Sequence, residues 1–327
     1  MKPKVYVTRL LPKEAMEKIC SFCDAKVWDG ELPPPRTVLF ENVTDIDGLL
    51  SLLTDKVDAE LMNRASKLKT ISNCAVGFDN IDVQEATRRG IVVGNTPGVL
   101  TDTTADFAFA LLMAAARRVV EGDMVVRAGK WKTWGPMILL GQDVHDATLG
   151  IIGMGRIGSA MARRAKGFDM KMLYAARTRN KQAEDELGIE YVDIDTLLAK
   201  SDFITLHTNL TPETHHLIGK KQFEKMKKTA VLVNTSRGPI VDNMALYEAL
   251  HSGRISYAAL DVTEPEPIPA DHPLLTLDNV IVAPHIASAS VATRTKMGIM
   301  AADNLIAGLK GEMPPNPVNP EVLINRS

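Results

Sequence analysis

The stretch Leu149-Gly150-Ile151-Ile152-Gly153-Met154-Gly155-Arg156-Ile157-Gly158 decides the reading of this chain. A short apolar run enters a Gly-x-Gly-x-x-Gly turn, and a helical pattern follows over residues 159–166. Gly153 permits the tight turn, Gly155 lets backbone approach a pyrophosphate, and Gly158 lets helix and strand pack closely. The helix N-terminus offers unpaired N–H groups to the phosphates. With the required strand before it and helix after it, the turn predicts dinucleotide binding. It sits mid-chain, so a substantial unit must precede it.

Upstream, short apolar runs alternate with helical patterns. Strands are expected at 5–8, 26–28, 49–53, 70–73 and 91–93, and helices at 13–20, 58–65 and 83–88, with Asp58 able to cap the second helix. Such alternation implies a parallel sheet covered on both faces. This first domain has no glycine-rich phosphate turn of its own. A joint at Asn95-Thr96-Pro97-Gly98 leads to one long helix expected over 103–127, capped by Thr103, with Asp106 placed early where the helix dipole favours an acid. Residues 131–146 lack a period and read as a loop.

Downstream of the glycines, strands are expected at 171–175, 203–207, 230–234, 257–260 and 280–283, and helices at 181–187, 222–226 and 243–252. This is the doubly wound nucleotide-binding pattern, in which ligands lie beyond the carboxyl ends of the strands. A last helical pattern at 292–309 precedes the Pro-rich Met313-Pro314-Pro315-Asn316-Pro317, and could pack back on the first domain. The expected fold class is therefore α/β with two doubly wound parallel sheets.

Composition narrows the function. The 327 residues are 45% hydrophobic and carry a formal net charge of −2, enough apolar material for two cores and too little positive charge for a nucleic-acid or polybasic membrane role. No signal peptide or membrane span is read: Met1-Lys2-Pro3-Lys4 runs into a strand, and the most apolar helix is too short. A cytoplasmic protein is expected. Cys20, Cys23 and Cys74 form no disulfide framework, and Cys20-x-x-Cys23 reads as two small apolar residues. No spacing of His, Cys and acid supports a metal site.

The cofactor can be read further. An NAD site places Asp or Glu at the end of the second strand. Here that strand ends in Ala175-Ala176, followed by Arg177-Thr178-Arg179. Two guanidiniums and a hydroxyl suit a 2′-phosphate, so NADPH is preferred over NADH. Three complementary groups fall at later strand ends. Arg237 can hold a carboxylate through two hydrogen bonds. Glu266 lies in a stiff Pro-flanked loop, and His285 beside a carboxylate suits a proton donor. His207, His215, His216, His251 and His272 have weaker claims: His215 and His216 fall in surface segments, and His207 lacks an evident acidic partner.

At these residues the chain resembles the D-isomer-specific 2-hydroxyacid dehydrogenases along essentially its whole length. Val76-Gly77-Phe78-Asp79-Asn80-Ile81-Asp82, residues 153–158, residues 234–238, Ala259-Leu260-Asp261-Val262 and Pro284-His285-Ile286 carry the resemblance. Thr104-Ala105-Asp106, the segment 140–145 and Arg177-Thr178-Arg179 carry a narrower likeness to the glyoxylate/hydroxypyruvate reductase and 2-ketogluconate reductase branch. The resemblance implies a discontinuous, flavodoxin-like substrate domain (1–98 plus 289–327) and a Rossmann NAD(P)-binding domain (99–288). It implies Arg237, Glu266 and His285 as the catalytic set, and backbone N–H groups of Val76 and Gly77 on the substrate carboxylate. It places Thr104, Arg156, Ile157, Thr208, Thr235, Ser236, Asp261 and Ser288 at the cofactor, with the three glycines and residues 177–179. Ala287 stands where a Gly is common, and Thr208-Asn209-Leu210 replaces a usual Pro-Leu.

The expectation is a reductase of small 2-oxoacids that works as a homodimer. Arg237 would bind and polarise the 2-oxoacid, hydride would come from the nicotinamide, and His285, oriented by Glu266, would protonate the alkoxide. The domains would close on the substrate about joints near Pro97 and Ala289. Rival readings are an NAD-dependent dehydrogenase acting on 3-phosphoglycerate or D-lactate, and a nucleotide-sensing, corepressor-like binding protein. The loop 76–80 supplies no cation for a phosphorylated substrate, and an intact Arg237, Glu266 and His285 weigh against loss of activity.

Overall fold

The computed structural model describes residues 1–324, which fall into two compact units: residues 1–100 with the described residues from Ala289 onward, and Thr101–Ser288. The expected range to 327 therefore ends outside the described residues. In the first unit β1 (Lys4–Val7), α1 (Lys13–Phe22), β2 (Asp24–Val27), α2 (Arg36–Asn42), β3 (Gly48–Ser51), α3 (Ala59–Arg64), β4 (Thr70–Asn73), α4 (Val83–Arg88) and β5 (Val92–Gly94) alternate. The five strands are all parallel, in the order β2-β1-β3-β4-β5. Asp58 and Asp82 cap α3 and α4 by accepting the N–H groups of Leu61 and Glu85.

The second unit comprises α5 (Thr101–Ala116), α6 (Val119–Arg127), β6 (Thr148–Ile152), α7 (Arg156–Lys166), β7 (Lys171–Ala175), α8 (Lys181–Leu187), β8 (Glu190–Tyr191), α9 (Ile194–Lys200), β9 (Phe203–Leu206), α10 (Lys220–Phe223), β10 (Val231–Asn234), α11 (Asn243–His251), β11 (Tyr257–Leu260) and β12 (Val280–Val282). Its seven parallel strands run β12-β11-β10-β9-β6-β7-β8, so the order reverses beside β6. The inner strands are largely apolar because successive residues face opposite helix layers. Ile151 and Val233 join a core with Leu112 of α5 and Met161 of α7, whereas Ile152 and Leu232 join one with Leu197 of α9 and Leu246 of α11. The chain then returns to the first unit as α12 (Val291–Lys310), which packs on α1, β3 and β4, and ends in α13 (Glu321–Ile324). Ser290 caps α12 through Thr293 N–H.

Both units are α/β with parallel sheets, as the sequence predicts. Three details differ. The single helix expected over 103–127 begins at Thr101, so Thr103 is not its cap, and it breaks at Arg118, whose φ of 52° is left-handed. A bidentate pair with Glu121, at 2.8 and 2.5 Å, holds that residue in place. α2 was not expected and α9 is given no bounds by the sequence pattern: α2 is short and follows Pro33-Pro34-Pro35, and α9 is a two-turn helix capped by Asp193. The helix expected at 222–226 lies instead at Lys220–Phe223.

Candidate active site

Every second-unit residue singled out for chemistry, Thr104 apart, lies at or just beyond the carboxyl end of a parallel strand. The glycine turn follows β6, Arg177-Thr178-Arg179 follows β7, Thr208 follows β9, Thr235 to Arg237 follow β10, Asp261 and Glu266 follow β11, and His285 follows β12. β10, β11 and β12 are immediate neighbours, so the loops bearing Arg237, Glu266 and His285 leave adjacent strands of one sheet edge.

The turn's geometry fits a dinucleotide pyrophosphate. Gly153 has φ of +96°, and a Cβ there would lie 2.5 Å from the carbonyl oxygen of His207. At Gly158 a Cβ would lie 2.1 Å from the carbonyl oxygen of Gly153. Gly155 faces open space, with nothing within 4 Å of a Cβ, and caps α7 without any side-chain bond to the first-turn N–H groups. A crowded pair of glycines thus frames an uncrowded one at an uncapped helix N-terminus, the arrangement that accepts phosphate oxygens. Arg156 is exposed there and Ile157 half-buried. Thr235 adds a second fitting feature: its hydroxyl is buried with no hydrogen-bond partner, a donor ready for a polar ligand group. Thr104 is buried within α5, Thr208 and Ser288 are half-buried, and Ser236 donates its N–H and hydroxyl to Asn234 Oδ1 at 3.0 and 2.8 Å.

The two arginines after β7 are not equivalent. Arg179 grips Glu184 through two bonds of 2.8 and 2.7 Å, and Tyr174 donates its hydroxyl to the same carboxylate at 2.7 Å. These contacts, Arg179 first, hold the Glu184 carboxyl down at about 2. Arg177 and Thr178 are exposed. Arg177 forms no ion pair among the described residues, although its charge helps the Thr211 hydroxyl lower the Glu213 pKa. The cationic field expected from both guanidiniums is therefore carried mainly by Arg177. Asn180 clamps this loop to the glycine turn, donating to the Met154 carbonyl at 3.2 Å while capping α8 through Ala183 N–H.

His285 and Glu266 meet directly. The imidazole Nδ1 lies 2.6 Å from Glu266 Oε1. A carboxylate only accepts, so Nδ1 carries the proton of that bond and Nε2 is left to face a ligand. His285 sits at φ of 56°, a left-handed conformation uncommon without glycine. It is held by the loop's bonds to Asp261: His285 N–H donates to the Asp261 carbonyl at 2.9 Å, and Ile286 and Ala287 N–H groups donate to the two carboxylate oxygens at 2.7 and 2.8 Å. Asp261 is buried, and burial raises its pKa against the pull of those two N–H groups. Sequence reading placed Asp261 at the cofactor; in the structure its carboxylate is a latch on the His285 loop. No local signal reveals this, because the bonded positions lie 25 and 26 residues apart.

Arg237 is extended, with its Nη1 donating to the Ser236 carbonyl at 2.9 Å and its own carbonyl accepting from Asn234 Nδ2 at 2.9 Å. Next to it, a Cβ on Gly238 would lie 1.8 Å from the Thr263 carbonyl oxygen, so the Glu266 loop rests directly on that glycine. In the first unit, the carbonyls of Val76 and Gly77 accept from Asn95 and Asn73 side chains at 2.7 and 2.9 Å. Both are thereby pinned, while their N–H groups bond to no group among the described residues.

The other histidines take distinct places. Burial lowers the His207 pKa to about 3, and its Nε2 shares a 2.9 Å bond with Thr205. His272 accepts the Leu274 N–H, and His251 stacks on Tyr247. His215 and His216, which show no metal spacing in sequence, are brought beside Glu264 by the fold.

With this geometry in view, the comparisons are decisive. Residues 109–287 match the family described as D-isomer specific 2-hydroxyacid dehydrogenase, NAD binding domain. The chain belongs to that family. It is 59% identical to a glyoxylate reductase of Korarchaeum cryptofilum over 324 residues, covering 99% of this chain and 98% of the relative. A solved protein of Thermus thermophilus superposes with a TM-score of 0.92 at 46% identity, covering 96% of this chain and 99% of the other. An NADPH-dependent glyoxylate/hydroxypyruvate reductase of Sinorhizobium meliloti, solved with NADP and malonate, gives 0.87 at 31% identity and 98% coverage of both chains. The chain is an NAD(P)-dependent oxidoreductase, and its likeness within the family runs to the glyoxylate reductases.

Proposed function

We propose that the chain reduces small 2-oxoacids, glyoxylate foremost and hydroxypyruvate and 2-ketogluconate with it, to D-2-hydroxyacids, with NADPH preferred over NADH. The observation that carries this reading is the 2.6 Å His285–Glu266 contact on strand ends beside Arg237. Gly153, Gly155, Arg156, Ile157 and Gly158 would hold the pyrophosphate, and Thr104, Thr208, Thr235, Ser236 and Ser288 the rest of the dinucleotide, while Asp261, expected at the cofactor, would act through the His285 loop that it latches. When bound, the dihydronicotinamide supplies a hydride. Arg237 binds the substrate carboxylate and polarises the neighbouring carbonyl. Val76 and Gly77 would offer their N–H groups to a substrate carboxylate. His285 gives the proton on Nε2 to the oxygen as negative charge develops there. Glu266 fixes the ring through Nδ1 and stabilises the imidazolium before transfer.

The cofactor preference rests on Ala176, where an acid would repel a 2′-phosphate, and on Arg177 and Thr178 beside it, with Arg179 as a lesser, already paired cation. Relatives named as glyoxylate reductases support the substrate. We also assign a homodimer. α6 buries no residue, and Val119, Met124, Trp131, Trp134 and Met137 form an exposed apolar run. A cytoplasmic location accords with three unpaired cysteines.

The test is a steady-state panel of glyoxylate, hydroxypyruvate, 2-ketogluconate and pyruvate with each cofactor, alongside His285→Ala. Glyoxylate with NADPH should give the highest kcat/KM, and His285→Ala should lower kcat by about 10²–10⁴-fold while binding NADPH normally. Preference for NADH, or near-normal turnover by the variant, overturns the reading. Light scattering that reports a monomer overturns the dimer.

A further inference from the structure

We propose that His215, His216 and Glu264 form a binding site for a late first-row divalent cation of the zinc class. One ligand atom from each lies within 4.8 Å of the others. His216 Nε2 is 2.8 Å from Glu264 Oε2, and His215 Nε2 is 3.8 Å from Oε1. Tetrahedral zinc with ligands at about 2.0–2.1 Å sets neighbouring donor atoms roughly 3.3 Å apart. The two observed separations lie on either side of that value and involve the two oxygens of one carboxylate, and all three donors stay within 4.8 Å of one another, so side-chain adjustment would bring both nitrogens and the carboxylate onto one ion.

The donors are held from both sides. The His215 N–H donates to the Thr211 carbonyl at 3.0 Å, and the Thr214 hydroxyl closes the turn by donating to the Asn209 carbonyl at 2.7 Å. The His216 N–H donates to the Pro239 carbonyl at 2.7 Å, and that residue adopts φ of 50°. This left-handed kink lets two consecutive imidazoles stack, centroids 4.0 Å apart and planes at 27°, instead of diverging to opposite sides of an extended chain. Across the gap, the Glu264 carbonyl accepts from Asn243 Nδ2 at 2.5 Å, and the backbone just before it rests on Gly238.

The chemistry selects the ion. Two neutral imidazoles and one carboxylate suit zinc, nickel or copper and disfavour magnesium and calcium, which take oxygen donors. The hydrogen bond between His216 and Glu264 engages one imidazole only, whereas a dication engages all three groups. Because Glu264 lies two residues before Glu266, the bound ion ties the catalytic loop of the proposed reaction to the turn that contains Thr211 and Thr214.

The experiment is isothermal titration of the full chain with zinc chloride near pH 7.5, repeated for His215→Ala, His216→Asn and Glu264→Gln. Asn at 216 keeps a left-handed backbone accessible, and unchanged circular dichroism certifies each fold. One equivalent should bind saturably, each substitution should weaken binding by about tenfold or more, and magnesium in large excess should not compete. Cobalt(II) at the same site should give the intense visible bands of a four-coordinate ion. No saturable binding, or binding that any of the three substitutions leaves unchanged, overturns the site. None of the three residues has a role in the proposed reduction, so NADPH-dependent turnover of the ion-free variants separates failure here from failure of that reading.

Discussion

The turn after β6 and the loop after β12 end two parallel strands of one sheet, yet they keep their shapes by different means. The turn is written in its own residues: Gly153 and Gly158 approach backbone to within distances that no side chain survives, and Gly155 lies open between them. The His285 loop contains no glycine and holds a left-handed histidine by bonds to a distant buried carboxylate. Backbone shape can thus be encoded locally by leaving atoms out, or remotely by satisfying N–H groups. The first plan suits a ligand that must approach backbone, and the second suits a side chain that must be aimed.

Breaking the turn should have the largest effect on cofactor binding. Gly158→Ala places a Cβ on the Gly153 carbonyl oxygen, and the strain of overpacking, about 1–3 kcal/mol, should weaken NADPH binding roughly tenfold to a hundredfold and lower Tm. Gly155→Ala meets nothing, so it should melt like the parent while losing cofactor affinity. Fluorescence titration and thermal melts separate the two variants. Normal NADPH affinity in Gly155→Ala would show that the turn holds something else.

Breaking the latch should come next. Asp261→Ala orphans the N–H groups of Ile286 and Ala287, at about 1–3 kcal/mol each, and frees His285 to leave its left-handed conformation. We expect kcat to fall by about 10²-fold with the KM for NADPH within about twofold, and Asp261→Asn, which keeps one acceptor, to fall between. A change confined to the NADPH KM would return Asp261 to a purely cofactor-facing role.

The same contrast explains what was legible in the sequence. The glycine turn, both parallel sheets and the strand-end positions of Arg237, Glu266 and His285 were readable because each depends on local pattern: a motif, an apolar run, a polar residue just past it. The Asp261 latch, the Arg179–Glu184–Tyr174 cluster and the meeting of His215 and His216 with Glu264 were not. Each joins groups whose proximity is decided by strand order or loop packing. The break at Arg118 was hidden for a related reason, since apolar residues continue at helical intervals across it and a local ion pair helps to hold the left-handed residue. The expected Asp58 cap, by contrast, needed only the next three residues.

A smaller effect should distinguish Arg177 from Arg179. A charge-assisted hydrogen bond contributes about 1.5–3 kcal/mol. Arg177→Ala should therefore cut the NADPH-over-NADH ratio of kcat/KM by about tenfold or more. Arg179→Ala should change it by a few-fold at most, because Glu184 already neutralises that guanidinium. The reverse order would mean that the Arg179–Glu184 pair opens when the cofactor binds.

The smallest effect concerns the support behind the turn. The carbonyl of His207 stands where a Gly153 side chain would be, and burial lowers its imidazole pKa from 6.5 to about 3. The unfolded chain therefore takes up a proton near pH 6.5 that the folded chain refuses. His207 contributes stability that is complete above that pH and lost as pH falls from 6.5 toward 3, with a limiting slope of about 1.4 kcal/mol per pH unit. Carboxylates held low, such as Glu184, act only below about 4.5, whereas burial raises Asp55 and Asp261, so the histidine is isolated by comparison with a variant that lacks it. By urea unfolding, the step from pH 6 to 5 should cost the parent about 1 kcal/mol more than His207→Gln, and the difference between the two proteins cancels every other titrating group. Parallel losses would mean that the imidazole reaches water in the folded state, leaving the turn braced by the strand-end backbone alone.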